Sequence, residues 1–208
     1  MAVRHRRRPE IDPLALSFDY PGGHADIFVA RLEQLARDLS PARAALARRL
    51  VARRADCAEN DVVLGHDPQG APLIVAPAAP LHLSLAGRDN IVAAALADDR
   101  IGVDVETIAA PFETPRNILH PAEQAVLDAA GEGAPEIFLR FWTAKEAYVK
   151  ALGEGLAREP SGIEIRLGDD DDFEVWDRGR RIETALAWTG RTLVRRRPVM
   201  LACMIAPR

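Results

Sequence analysis

Asp104 and Glu106 stand two residues apart in the segment Ile101-Gly102-Val103-Asp104-Val105-Glu106. Side chains alternate along a strand, so Ile101, Val103 and Val105 would face a core while both carboxylates emerge on the opposite face. Carboxylates so placed repel each other, and a hard divalent cation relieves the repulsion. Magnesium suits them: it takes oxygen ligands in near-octahedral array and often uses few carboxylates, leaving its other positions to water and substrate phosphates. The same hexapeptide equally fits an edge strand with an acidic solvent face.

A second constellation is Phe141-Trp142-Thr143-Ala144-Lys145-Glu146-Ala147-Tyr148-Val149-Lys150. Helical spacing puts Trp142, Lys145, Glu146, Val149 and Lys150 near one stripe. Glu146 and Lys150, at i and i+4, could form no more than a surface ion pair of ~0.3–0.5 kcal/mol, and Thr143 with Glu146 matches a capping box. Against both stands the adjoining aromatic run, which implies a well-buried helix. A charged pair there needs compensation, and a metal with an anionic substrate supplies it. Of the 27 Lys and Arg residues, only Lys145 and Lys150 are lysines. A surface that needed only positive charge would accept either type, whereas a compact, titratable ammonium is lysine's alone. Two within six residues point to ammonium groups required at that place.

In this order and spacing, the two segments together resemble the paired signatures of 4′-phosphopantetheinyl transferases. The nearer likeness is to the longer, single-chain type acting on carrier proteins of fatty acid, polyketide and nonribosomal peptide synthesis. It extends more weakly from about Arg43 to Leu167. The resemblance implies transfer of the phosphopantetheine arm of coenzyme A to a serine of an apo acyl or peptidyl carrier protein, releasing adenosine 3′,5′-bisphosphate. It implies that Asp104, Glu106 and Glu146 hold magnesium, that Lys150 contacts the phosphates with Lys145 as its motif companion, and that Glu123 is the acidic residue opening the preceding helix. It further implies a monomer of two α+β halves related by pseudo-twofold symmetry, with the active site in the cleft between them. Phosphoryl transfer depends mainly on positioning and charge neutralisation. Glu146, as base for the serine hydroxyl, and Lys150, as a cation on the phosphates, are therefore the expected catalytic residues.

Two departures accompany the likeness. The family's Ser-His-Ser-Gly-like segment is here Ser84-Leu85-Ala86-Gly87, so leucine replaces a phosphate-contacting histidine. The usual Gly-Lys-Pro turn is Gly70-Ala71-Pro72, which lacks another cation. Ser84, with Arg88, Arg48 and Arg49 as substitute cations, joins Lys145 and Lys150 in the expected coenzyme A site. The alternative function is a degenerate relative that binds coenzyme A or a carrier protein without transfer.

These residues need elements to position them. Ile27–Leu39 and Ala42–Arg54 read as helices, the second entered through Ser40-Pro41. Strands are expected near 61–64, 81–85, 91–96 and 101–106, with a turn over 68–72. The second half repeats the order: helices over 121–130 and 134–152, then strands over 163–167, 173–176, 182–188 and 198–205. Asp177-Arg178-Gly179-Arg180 reads as a hairpin turn and Asp169–Asp172 as a solvated loop. The expectation is an α+β protein with an N-terminal half, 1–106, and a C-terminal half, 107–208, and a ligand cleft between them. The 208 residues, 48% hydrophobic and 28% charged, suit a globular chain. A net charge of −4 implies no general attraction to nucleic acid or anionic membranes. No apolar run reaches membrane-spanning length, and basic Met1–Glu10 reads as a solvated arm rather than a secretory signal. Cys57 and Cys203, lone and far apart, argue against a zinc site or disulfide scaffold and fit a reducing cytoplasm.

Overall fold

The computed structural model describes residues 13–109, 114–153 and 158–206, and the Met1–Glu10 arm lies outside them. Strands β1 (Leu14–Tyr20) and β2 (Gly23–Arg31) precede helix α1 (Ser40–Ala55). Then come β3 (Val63–His66), β4 (Pro72–Ala76), β5 (His82–Arg88), β6 (Ile91–Ala97) and β7 (Ile101–Thr107). Helices α2 (Pro121–Ala129) and α3 (Ala134–Leu152) lead into β8 (Ile163–Leu167), β9 (Phe173–Asp177), β10 (Arg180–Ile182), β11 (Leu186–Val194) and β12 (Arg197–Ile205). The α+β class stands.

Two antiparallel sheets carry the core, one ordered β1-β2-β6-β5 and the other β11-β12-β7. Between them Ile27, Ala95 and Val103 meet Leu201 and Cys203. On the outer face of the first sheet, Phe28, Ala94 and Leu96 pack against Leu46 and Leu50 of α1. On the outer face of the second, Met200, Ala202 and Met204 pack against Phe141, Ala144 and Tyr148 of α3. The layers thus run α1, sheet, sheet, α3. β6 is buried along its whole length, which is why its sequence is a continuous apolar run rather than an alternating one. A third sheet, β10-β9-β8, packs Ile163, Ile165 and Val175 into the core beneath α3, and β3 pairs with β4 alone.

Several expectations change. Ile27–Leu39 is not a helix: Ile27–Arg31 completes β2, and no helix forms over 32–39. A short run of Ile, Phe, Val and Ala carries no decisive period, and burial between α1 and the second sheet makes it a strand; Leu35 beyond it is exposed. β1 and β4 were not expected, and the β1–β2 hairpin means the N-terminal half does not begin with helices. The expected strand at 182–188 is divided: Ile182 ends β10, and Leu186 begins β11 in another sheet. The turn at Asp177–Arg180 is present, with Arg178 and Gly179 at φ 50° and 72° between β9 and β10. β7, assigned to the N-terminal half, pairs instead with β12, Asp104 opposite Ala202 and Glu106 opposite Met200. β7 thus completes the sheet of β11 and β12.

Candidate functional site

Gly102 decides how closely α3 can lie on β7. Gly102, Asp104 and Glu106 share the outward face of the strand, while Ile101, Val103 and Val105 face the core as expected. A Cβ on Gly102 would fall 1.8 Å from the Ala147 carbonyl oxygen and 2.6 Å from the Ala151 nitrogen. The helix backbone thus rests directly on the strand. Its next side chains, Glu146 and Lys150, are carried over Asp104.

The Lys150 ammonium donates to Asp104 Oδ1 at 2.6 Å and to the Val103 carbonyl at 3.1 Å. Asp104 is 7% exposed, and its Oδ2 is buried without a hydrogen-bond partner among the described residues. Glu106 accepts a bond from Trp142 Nε1 at 3.2 Å, and its other oxygen lies 3.2 Å from Arg88 Nε. Burial, then the Asp104 charge, pushes the Glu106 carboxyl up to about 7, with Arg88 and Trp142 opposing. Burial and Asp104 likewise raise Glu146, and Lys150 opposes. Asp104 is thus the shared neighbour of two carboxylates that its charge perturbs. Among the described residues, no three acidic, histidine or cysteine side chains stand close enough to hold a metal ion as they are.

Lys145, expected among the coenzyme A contacts, points elsewhere. Its ammonium lies 2.7 Å from Glu123 Oε2 and donates to the carbonyls of Ile163, Pro160 and Ile118 at 2.7, 2.8 and 3.1 Å. Glu123 in turn accepts from the backbone of His120 and Ile165. Both side chains are about 1% exposed. Burial pushes the carboxyl up and the ammonium down, and each charge opposes the other's shift. An ammonium has three hydrogens, and four acceptors surround this one. It ties α3 to the start of α2 and to β8, and none of its donors is left for a phosphate. One residue's turn on the helix, about 100°, separates its direction from that of Glu146.

Ser84 is engaged with the backbone of β7. It is 4% exposed, and its Oγ accepts from the Val103 nitrogen at 3.1 Å, linking β5 to β7. Arg48 and Arg49 belong to α1, which covers the far side of the first sheet from β7. Arg49 lines a hollow there with Pro13, Phe28, Arg53 and Cys57. Arg88 alone of the substitute cations reaches the carboxylates. Thr143 does not cap: it lies inside α3, donating to the Leu139 carbonyl. Trp142, to which no role was assigned from sequence, joins the site through its bond to Glu106, and its i,i+4 spacing to Glu146 was the available signal.

A groove of about 480 Å³ opens beside Lys150, between the turn around Ala71 and the C-terminal end of α3, with His82 and Arg100 in its wall. No helix among the described residues is long and apolar enough to cross a membrane.

Comparison with known proteins bears on the same segments. The family model described as the 4′-phosphopantetheinyl transferase superfamily matches residues 100–194. The chain is 34% identical over 86 residues to the 4′-phosphopantetheinyl transferase HetI of Nostoc sp. strain PCC 7120, covering 41% of this chain and 31% of HetI. It is 25% identical over 117 residues to a 4′-phosphopantetheinyl transferase of Bacillus subtilis, covering 55% and 51%. Over 78 residues it is 27% identical to the 4′-phosphopantetheinyl transferase gsp of Aneurinibacillus migulanus, covering 36% and 33%. The chain thus spans from about a third to half the length of these curated relatives. The matched residues 100–194 hold β7, α3 and all three carboxylates, so the likeness to the 4′-phosphopantetheinyl transferase superfamily falls on the segment that builds the candidate site.

Proposed function

We propose that the protein transfers the 4′-phosphopantetheine arm of coenzyme A to a serine of an apo acyl or peptidyl carrier protein, releasing adenosine 3′,5′-bisphosphate. The observation that carries this reading is the buried, unpartnered Asp104 Oδ2 beside Lys150, with Glu106 and Glu146 both perturbed by Asp104. Oxygen donors short of positive charge fit magnesium, which needs only one or two carboxylates when substrate phosphates complete its shell. Asp104, Glu106 and Glu146 would hold it. When bound, magnesium supplies neutralisation of the pyrophosphate and its leaving oxygen.

The chain's own residues supply the rest. Lys150 and Arg88 approach the carboxylates from α3 and β5 and place two cations where a diphosphate would add negative charge. Trp142 orients Glu106 through its ring nitrogen. Glu146 takes the proton of the attacking serine hydroxyl as the serine–phosphorus bond forms and the bond to the adenosine bisphosphate oxygen breaks. The two halves, a helix on a sheet in each with the sheets face to face, would be related by a pseudo-twofold, with the cleft where β5 meets β7. We read the chain as the longer, single-chain type, monomeric and cytoplasmic; two free cysteines fit that compartment.

Mass spectrometry of an apo carrier protein incubated with the protein, coenzyme A and magnesium tests the proposal. A gain equal to the phosphopantetheine arm on the acceptor serine is expected. Tight coenzyme A binding with no gain would support the degenerate binder instead, and loss of neither signal on chelation would refute the metal.

A further inference from the structure

In a chain of net charge −4, the stretch after Glu183 has no aspartate or glutamate, and its β11–β12 hairpin carries Arg191, Arg195, Arg196 and Arg197. Val194 pairs with Arg197, so Arg195 and Arg196 are the two residues of the turn. Both lie in the left-handed region, at φ 47° and 64°, as a two-residue hairpin turn of this type demands. Asparagine and glycine occupy such positions with least strain. Two arginines there hold guanidinium groups at the tip at a cost in backbone energy, a departure from turn chemistry of the kind that accompanies function.

The charge is not neutralised at the tip. Arg31, the last residue of β2, donates to the Arg195 carbonyl at 3.3 Å and adds a further cation. Arg195 and Arg196 are exposed, and their side chains have no acidic partner among the described residues. Arg197 Nε is buried with no hydrogen-bond partner among them. Asp89 accepts from the Thr107 hydroxyl, Glu106 pairs with Arg88 and Glu136 with Arg191, so these carboxylates are engaged away from the tip. Beside the arginines stands an apolar spot. Thr189, Arg191 and Leu193 alternate onto the face covered by α3, where Thr189 meets Thr143 and Arg191 meets Glu136. Leu193, one pleat farther toward the tip, is 61% exposed.

The tip also adjoins the candidate site. Glu106 is opposite Met200, and Arg197 lies three residues along β12 from Met200, a rise of ~10 Å. A protein–protein interface of standard size covers ~800 Å² on each partner, a patch roughly 30 Å across. A protein whose serine reaches Glu146 and Glu106 therefore also covers the tip. Resting on the proposed transfer, we infer that the β11–β12 tip docks the acceptor protein through Arg195, Arg196 and Leu193, and that this acceptor presents acidic side chains around an apolar spot beside its serine. Arginine with an apolar anchor is the makeup of a protein interface, whereas nucleic acid calls for stacking aromatics or a longer basic track. Neither arginine reaches the reacting atoms, so both act on encounter with the acceptor rather than on the chemical step.

Transfer kinetics at saturating coenzyme A test this with an apo acyl carrier protein acidic around its serine, and with the same protein after those carboxylates are changed to amides. The proteins compared are the wild type, R195E/R196E and R195N/R196G, the last of which restores favoured turn residues and should melt no lower than the wild type. For the acidic acceptor, R195N/R196G should raise KM roughly three- to tenfold and R195E/R196E more, with kcat within about twofold. The wild-type KM should climb with added salt and that of the variants much less. With the amide acceptor the three proteins should be alike. Unchanged KM in both variants, or equal loss with both acceptors, overturns the docking and leaves the transferase reading standing. Variants that lose affinity for single-stranded DNA at unchanged acceptor KM assign the tip to nucleic acid and overturn it as well. Wild-type protein that transfers to neither acceptor removes the transferase reading, and the docking with it.

Discussion

Replacing Gly102 by alanine is the most demanding test of how the site is held. Its backbone is not among the left-handed positions, so alanine meets no conformational strain in the strand. The obstacle is contact alone. The new methyl would stand 1.8 Å from the Ala147 carbonyl oxygen and 2.8 Å from its carbon. Ordinary van der Waals separation begins at 3.4 Å, so strand and helix must part by about 1.6 Å. Both partners are backbone, and no rotamer change relieves the overlap. Overpacking typically costs ~1–3 kcal/mol, occasionally more, and this case belongs at the upper end. For a chain of this size that is a fall in Tm of roughly 6–12 °C. The shift also lifts Glu146 and Lys150 from Asp104, where a displacement of ~1 Å is enough to cost about a hundredfold in rate. Thermal unfolding and carrier-protein transfer, measured on the same preparation, read both effects. A G102A protein with unchanged Tm and full turnover would refute the argument that close packing of α3 on β7 assembles the site.

Three further outcomes follow from the same geometry. Glu146→Gln should remove most turnover while leaving the melting curve in place; near-normal turnover in the carrier-protein assay would refute a catalytic Glu146. Lys145→Met should destabilise by on the order of 3–5 kcal/mol, because it strands the Glu123 carboxyl in the core, and denaturant unfolding reads it. Adding Glu123→Gln should restore part of the loss; a raised KM for coenzyme A with unchanged stability would return Lys145 to the donor site. Glu106 binds its proton more tightly folded than unfolded, at about 7 against an ordinary 4.5. Its contribution to stability is therefore complete below about 4.5 and is lost as pH rises through about 7. Denaturation of metal-free protein across that window should show the loss, and Glu106→Gln should flatten it; an identical slope in the variant would contradict the assigned cause.

The alternation in Ile101–Glu106 and the apolar stripe of Ala134–Leu152 are local patterns, so the sequence by itself determined that β7 turns two carboxylates one way and that α3 spans its full observed length. The likeness to the superfamily was legible there too, because the family model matches the stretch that holds both segments. Short apolar runs were less informative. Ile27–Arg31 became a strand only because α1 and the second sheet cover its two faces. Which side chain of a motif meets the ligand was likewise beyond local pattern. Lys145 and Lys150 look equivalent in the sequence, and only packing against α2 and β8 turns the first into an internal clamp. Ser84 accepts the Val103 amide, and Arg48 and Arg49 are carried by α1 on the outer face of the first sheet. A side chain's partners come from residues distant along the chain. The tertiary structure alone brought together Asp104, Lys150, Trp142 and Arg88, and set His82 beside Arg100.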